Sequence, residues 1–98
     1  MKAWFQKSSE LGEAFVQFHQ SINEKNSLDK KTKELISLTV ASVLRCTHCT
    51  QAHIKKALAA GATPTEITDS LLLSSLVAAS TQLFWDRDNF DKSLTEVK

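Results

Sequence analysis

Glycine, proline and tyrosine are nearly missing from this chain of 98 residues, which holds two Gly, one Pro and no Tyr. Tight turns draw on exactly such φ-permissive or φ-fixed residues, so their scarcity argues against a many-stranded β fold and for a few long helices. An excess of either charge is missing too, because 12 basic and 11 acidic side chains leave a formal net charge of +1. Such a chain carries no field able to hold a nucleic-acid backbone or an anionic membrane by electrostatics alone. The opening residues MKAWFQKSSE contain no apolar signal core, and the longest apolar stretch, 71–79, is too short to span a bilayer. A soluble, cytoplasmic protein with neither nucleic-acid nor membrane partners is therefore expected. Cysteine is scarce as well, with two in the chain, and in a reducing compartment two thiols are not expected to serve as a static staple. A single domain over residues 1–98 would bury only about 60–65% of the surface its unfolded chain exposes. Completion of its core by homo-oligomerisation is the expectation.

What is present is helical periodicity. Leu11, Phe15, Phe18 and Ile22 recur at the steps of one inward face, which predicts a helix over 3–24 with Gly12 as a weak point. The polar stretch 25–29 breaks it, and Ser27 or Asp29 can cap a second helix over 30–44. A third helix over 47–60 carries Ile54, Ala57 and Leu58 inward and meets a stop at Gly61. Thr63-Pro64-Thr65-Glu66 then supplies a cap, a Pro at the first helical position and a Glu that bonds back to the cap. The fourth helix is apolar over more than half its circumference, with Ile67, Leu71 and Ala78 on one stripe and Leu72, Leu76 and Leu83 on the next. It is expected to be buried by more than its own neighbours. Phe84, Trp85 and Phe90 read as a helix end that covers the core rather than as ligand contacts, and a contact between subunits suits both readings.

The chemistry concentrates in Arg45-Cys46-Thr47-His48-Cys49-Thr50-Gln51-Ala52-His53. A C-x-x-C at a helix start places thiols where unpaired N–H groups and the helix dipole stabilise a thiolate. Residues three and four apart share a helix face, so Cys46, Cys49 and His53 project together and His53 can accept a proton from Cys49. His48 adds a titratable group beside the thiols. Three readings compete on these residues: redox or nucleophilic cysteine chemistry, zinc binding, and two small buried hydrophobes. Structural zinc takes further ligands from a second cluster, which this chain lacks unless Glu34 or another subunit supplies one. Two histidines beside the pair weigh against the third reading.

With Glu34 the array becomes E-x11-C-x-H-C-x3-H. This resembles the carboxymuconolactone decarboxylase superfamily, and within it the alkylhydroperoxidase D branch. Leu28-Asp29 with 31–36 looks like that family's entry helix, and Ala59-Ala60-Gly61-Ala62-Thr63 before Glu66-Ile67 looks like its exit turn; the match covers residues 28–80. The resemblance implies an all-α, alkylhydroperoxidase D-like domain assembled as a homotrimer or homohexamer. It also implies a thiol-dependent peroxidase or disulfide reductase, with no cofactor and no metal ion. Its substrate would be a hydroperoxide or a disulfide, and its electrons would come from a dithiol donor or a peroxiredoxin partner. By the same resemblance Cys49 is the peroxide-attacking thiolate and Cys46 the resolving thiol. The resemblance further implies that Glu34 holds His53 in a proton relay, assisted by His48 and a water. On one straight helix residues 34 and 46 would lie about 18 Å apart, so Glu34 reaches the thiols only if the helices cross steeply or the second ends early. The decarboxylase branch acts on a lactone acid without using a cysteine pair, and retention of both cysteines makes that the weaker enzyme reading. A non-catalytic, oligomeric binding module is the third class.

Of the other polar residues, His19 reads as a half-exposed helix histidine. Lys30, Lys31 and Lys33 read as a solvated first turn. Arg45 suits a thiolate neighbour and a surface role equally.

Overall fold

The computed structural model describes residues 1–95, and six helices follow one another along them. They are α1 (Trp4–Ser8), α2 (Glu10–Lys25), α3 (Lys30–Val43), α4 (Thr47–Ala59), α5 (Pro64–Phe84) and α6 (Arg87–Thr95). No strand occurs among the described residues, so the expected all-α class is the observed one. The last three residues of the domain expected over 1–98 lie outside the described residues.

The helix expected over 3–24 is two helices. Ser9 adopts extended backbone (φ −157°, ψ 142°) and its hydroxyl accepts the Leu11 N–H at 3.1 Å, so it ends α1 and caps α2. Glu10 and Glu13 then sit in the first turn of α2, where the positive end of the helix dipole favours them. Gly12 is no weak point. It is buried under α1, and a Cβ there would run into the Phe5 carbonyl. The missing side chain is what lets the α1 backbone lie on α2.

Both later junctions are built for reversal. Asp29 caps α3, its carboxylate accepting the Thr32 N–H and the Thr32 hydroxyl, each at 2.9 Å. At the other end of α3, Arg45 N–H donates to the Ser42 carbonyl (3.1 Å) and Cys46 N–H to the Ala41 carbonyl (3.0 Å). Arg45 itself is left-handed, φ 59°. This is a Schellman ending with arginine where glycine is usual. The end of α4 repeats it, with Gly61 N–H on the Leu58 carbonyl (3.1 Å), Ala62 N–H on the Ala57 carbonyl (2.9 Å) and Gly61 at φ 97°. The next helix opens with the expected capping box. Thr63 Oγ1 accepts the Glu66 N–H (3.1 Å), and Glu66 Oε1 accepts the Thr63 N–H (2.9 Å).

The two reversals fold α3 and α4 into a hairpin against which α5 leans. Lys31, expected to be solvated, ties the first turn of α3 to that of α5 through Glu66 Oε2 at 2.9 Å. The core of this body is small: Leu38, Ala41, Ala57 and Ala62 are its buried apolar side chains. The α1–α2 pair stands apart as an arm, tethered at its base by Lys33 Nζ donating to the Asn23 carbonyl at 2.9 Å. Trp85 does not cover the core. It is 72% exposed and meets Phe90 edge-on, with ring centroids 5.9 Å apart. Taken as a whole, α5 reaches the length and mean hydropathy (1.2 over its best window) at which a helix can cross a bilayer, longer than residues 71–79 alone suggested.

Candidate functional site

The α3–α4 hairpin resolves how Glu34 reaches the cysteine segment. The chain turns back at Leu44 and Arg45, so α4 lies along α3 and returns towards the level of Glu34. Neither a steep crossing nor an early end to α3 is required, since α3 runs to Val43. Glu34 Oε2 accepts the His53 Nδ1–H at 2.7 Å. The glutamate side chain is 12% exposed and the histidine 26% exposed, so the pair is shielded from bulk water on most sides. A carboxylate on Nδ1 fixes the ring's orientation and leaves Nε2 as the nitrogen that exchanges protons.

Cys46 is the N-cap of α4, and Cys49 lies in the helix's first turn. Their sulfurs are joined in a disulfide across a Cα–Cα distance of 5.3 Å. The Cys49 N–H donates to Cys46 Sγ at 3.2 Å, so the capping role usually taken by a Ser or Asp oxygen falls to sulfur here. A sulfur at this position faces the unpaired N–H groups and the positive end of the α4 dipole. Cys49 lies one turn before His53 on the same helix, at the spacing that brings side chains together. Cys46 also borders a small open hollow of about 270 Å³ with Ser42, Arg45, Thr47, Thr50 and Gln51.

His48 is placed differently. It is exposed, and it lines a separate hollow of about 330 Å³ with Gln51, Ala52, Lys55 and Lys56. The structure thus brings together Glu34 with His53 and Cys46 with Cys49, and leaves His48 on another face of α4. Among the described residues, no three His, Cys, Asp or Glu side chains converge in the way a metal ion requires. Arg45 is the residue whose structural part the sequence concealed, because nothing in its type signals the left-handed turn on which the hairpin depends.

The chain is similar to known proteins in sequence and in fold. The family model described as carboxymuconolactone decarboxylase family matches residues 9–96. An uncharacterised protein of the cox locus of Paracoccus denitrificans is 32% identical over 69 residues, a match that spans 70% of this chain and 62% of that protein. The chain thus covers less than two thirds of the relative's length. A crystal structure of a protein from Methanobacterium thermoautotrophicum superimposes with a TM-score of 0.74 at 28% identity, over 83% of this chain and 93% of the other.

Proposed function

This chain belongs to the carboxymuconolactone decarboxylase family, and from that premise we propose that it is a thiol-dependent oxidoreductase that reduces a hydroperoxide or a disulfide through Cys49 and Cys46. The observation that carries the reading is the Glu34–His53 hydrogen bond of 2.7 Å, which joins α3 to the helix that carries Cys49 and is capped by Cys46. A lactone decarboxylation would leave that pair without a task.

In the reduced protein, His53 Nε2 takes the proton of the Cys49 thiol, and Glu34 stabilises the imidazolium that results. The Cys49 thiolate attacks one oxygen of the hydroperoxide. The O–O bond breaks, Cys49 becomes a sulfenic acid, and the leaving alkoxide takes a proton to depart as an alcohol. Cys46, favoured as a thiolate by its place at the N-cap of α4, then attacks the Cys49 sulfur. Hydroxide leaves as water with a proton, and the disulfide closes. A dithiol donor restores the cycle: one donor thiolate attacks Cys46 Sγ from the hollow beside it, releasing Cys49 as a thiolate, and the second donor thiol displaces Cys46. The donor leaves as a disulfide, so two electrons and two protons pass in each turnover.

The test is peroxide consumption by the purified protein with tert-butyl hydroperoxide and dihydrolipoamide. Turnover is expected for the natural chain and loss to background for Cys49→Ser. Full turnover in Cys49→Ser would overturn the assignment.

A further inference from the structure

The protein has far more surface than its mass requires. Its accessible area is 8071 Å² for 10.9 kDa, whereas a compact chain of that mass exposes about 5,600 Å². Its radius of gyration is 18.9 Å and its longest extent 66 Å, against a radius of about 13 Å for a compact domain of this length. The excess, about 2,500 Å², is well above the roughly 800 Å² each partner buries in an ordinary stable interface.

Two apolar surfaces stand exposed in this extended shape. On the arm, Leu11, Phe15, Phe18 and Ile22 form a stripe along α2, and Phe18 is 62% exposed. On the body, α3 and α5 flank an open groove of about 550 Å³, lined by Leu35, Ile36, Val43, Leu73, Val77 and Thr81 among others. Leu73 is 63% exposed. Two hydroxyls on the α5 side of the groove are turned back into their own helix: Ser70 Oγ donates to the Glu66 carbonyl (2.8 Å) and Thr81 Oγ1 to the Ala78 carbonyl (2.6 Å), which satisfies them there. The stripe from Leu11 to Ile22 and the α5 wall from Ser70 to Thr81 are each about 16 Å long at helical rise.

We propose that the α1–α2 arm of one copy docks its Leu11–Ile22 stripe into the α3–α5 groove of a second copy, so that the assembly is held by exchanged arms. Such a contact joins two different surfaces. It is therefore head-to-tail, and it closes either as a reciprocal pair or as a ring. Gly12 takes part indirectly: by letting α1 pack on α2, it makes the arm a two-helix unit rather than a lone amphipathic helix.

The experiment uses full-length chains in which Cys46 and Cys49 are both changed to Ser. One carries Phe18→Cys and the other Val77→Cys, and the two are co-expressed and treated with a short bismaleimide. A cross-linked pair containing one chain of each kind is expected in the mixture, with little cross-linking of either chain alone. Cross-linking of Val77→Cys chains alone would overturn the proposal in favour of α5 meeting α5. Sedimentation of the natural protein as a monomer at micromolar concentration would also overturn it, with the arm folded onto its own groove as the alternative. As an independent readout, Phe18→Glu is expected to sediment as a monomer with its helical circular dichroism retained, and an unchanged assembly in that variant would count against arm exchange.

Discussion

Glu34 and His53 stand 19 positions apart in the chain and meet at 2.7 Å, on neighbouring helices joined by a turn that contains no glycine. The contact depends on the residue that makes the turn as much as on the two that form it. Arg45 at φ 59° sends α4 back along α3, and only that reversal brings the carboxylate level with the ring. A left-handed, non-glycine residue is held at a cost of roughly 1 kcal/mol, directly before the first cysteine.

Replacing Glu34 by Gln keeps the shape of the side chain and removes its charge. The proposed proton transfer then loses its counter-ion, and peroxide turnover is expected to fall about 100-fold or more, the scale of a general-base contribution. His48→Ala, on the exposed face of α4, is expected to stay within a few-fold of the natural protein. Steady-state kinetics on both variants separates the two histidine environments, and equal losses would contradict the assignment of the relay to Glu34 and His53.

Removing the proposed resolving thiol is expected to strand the reaction halfway. Cys46→Ser should consume one equivalent of hydroperoxide and stop, leaving a sulfenic acid on Cys49 that dimedone traps and mass spectrometry locates. A dimedone adduct on Cys46 in the Cys49→Ser variant, formed equally fast, would reverse the roles of the two cysteines.

Gly12→Ala places a methyl group where the Phe5 carbonyl already lies. Displacing α1 to make room is expected to cost about 1–3 kcal/mol, the usual range for overpacking, visible as a lowered urea midpoint. Under the arm-exchange proposal the same variant associates more weakly as well.

Acid should loosen the junction between α3 and α5. The Lys31 ammonium and the Thr63 N–H hold the Glu66 carboxyl below its usual range, and the Thr32 N–H and hydroxyl do the same for Asp29. Carboxyls lowered in the folded state add stability that is complete above the ordinary carboxylate range and is lost as the pH falls through the folded values. Lys31, raised by Glu66, adds stability that is complete at neutral pH and disappears only as the pH rises through its raised value. Thermal unfolding between pH 7 and 3 should therefore show a small decline below about pH 4 that is reduced in Glu66→Gln. The groups are at the surface, so the effect is modest.

The sequence made some of these features legible and hid others, for definite reasons. The turn after α4 could be read in full, because Gly61, Pro64 and the Thr63–Glu66 box each leave a mark in residue type. The equivalent turn after α3 could not, since Arg45 adopts the conformation that glycine would have announced. For that reason the linear spacing of Glu34 from the cysteines reads as an obstacle that only the hairpin removes. The break at Ser9 was masked by the apolar residues on both sides of it, Trp4 and Phe5 before and Leu11 after, which run together as one helical pattern. The apolarity of Trp85 and Phe84 suggests cover for the core, but both stand exposed at the end of α5, a helix longer than either member of the α3–α4 hairpin. Periodicity reports that a face wants burial and is silent about which surface buries it.

Leu38, Ala41, Ala57 and Ala62 form a core of four side chains, three of them alanines. Under the arm-exchange proposal, a body with so little interior of its own has a melting temperature that depends on how much protein is in the tube. Dilution then acts on this chain as a denaturant does, and the Glu34–His53 contact, built across the hairpin that surrounds that core, would be lost below the concentration at which the copies part.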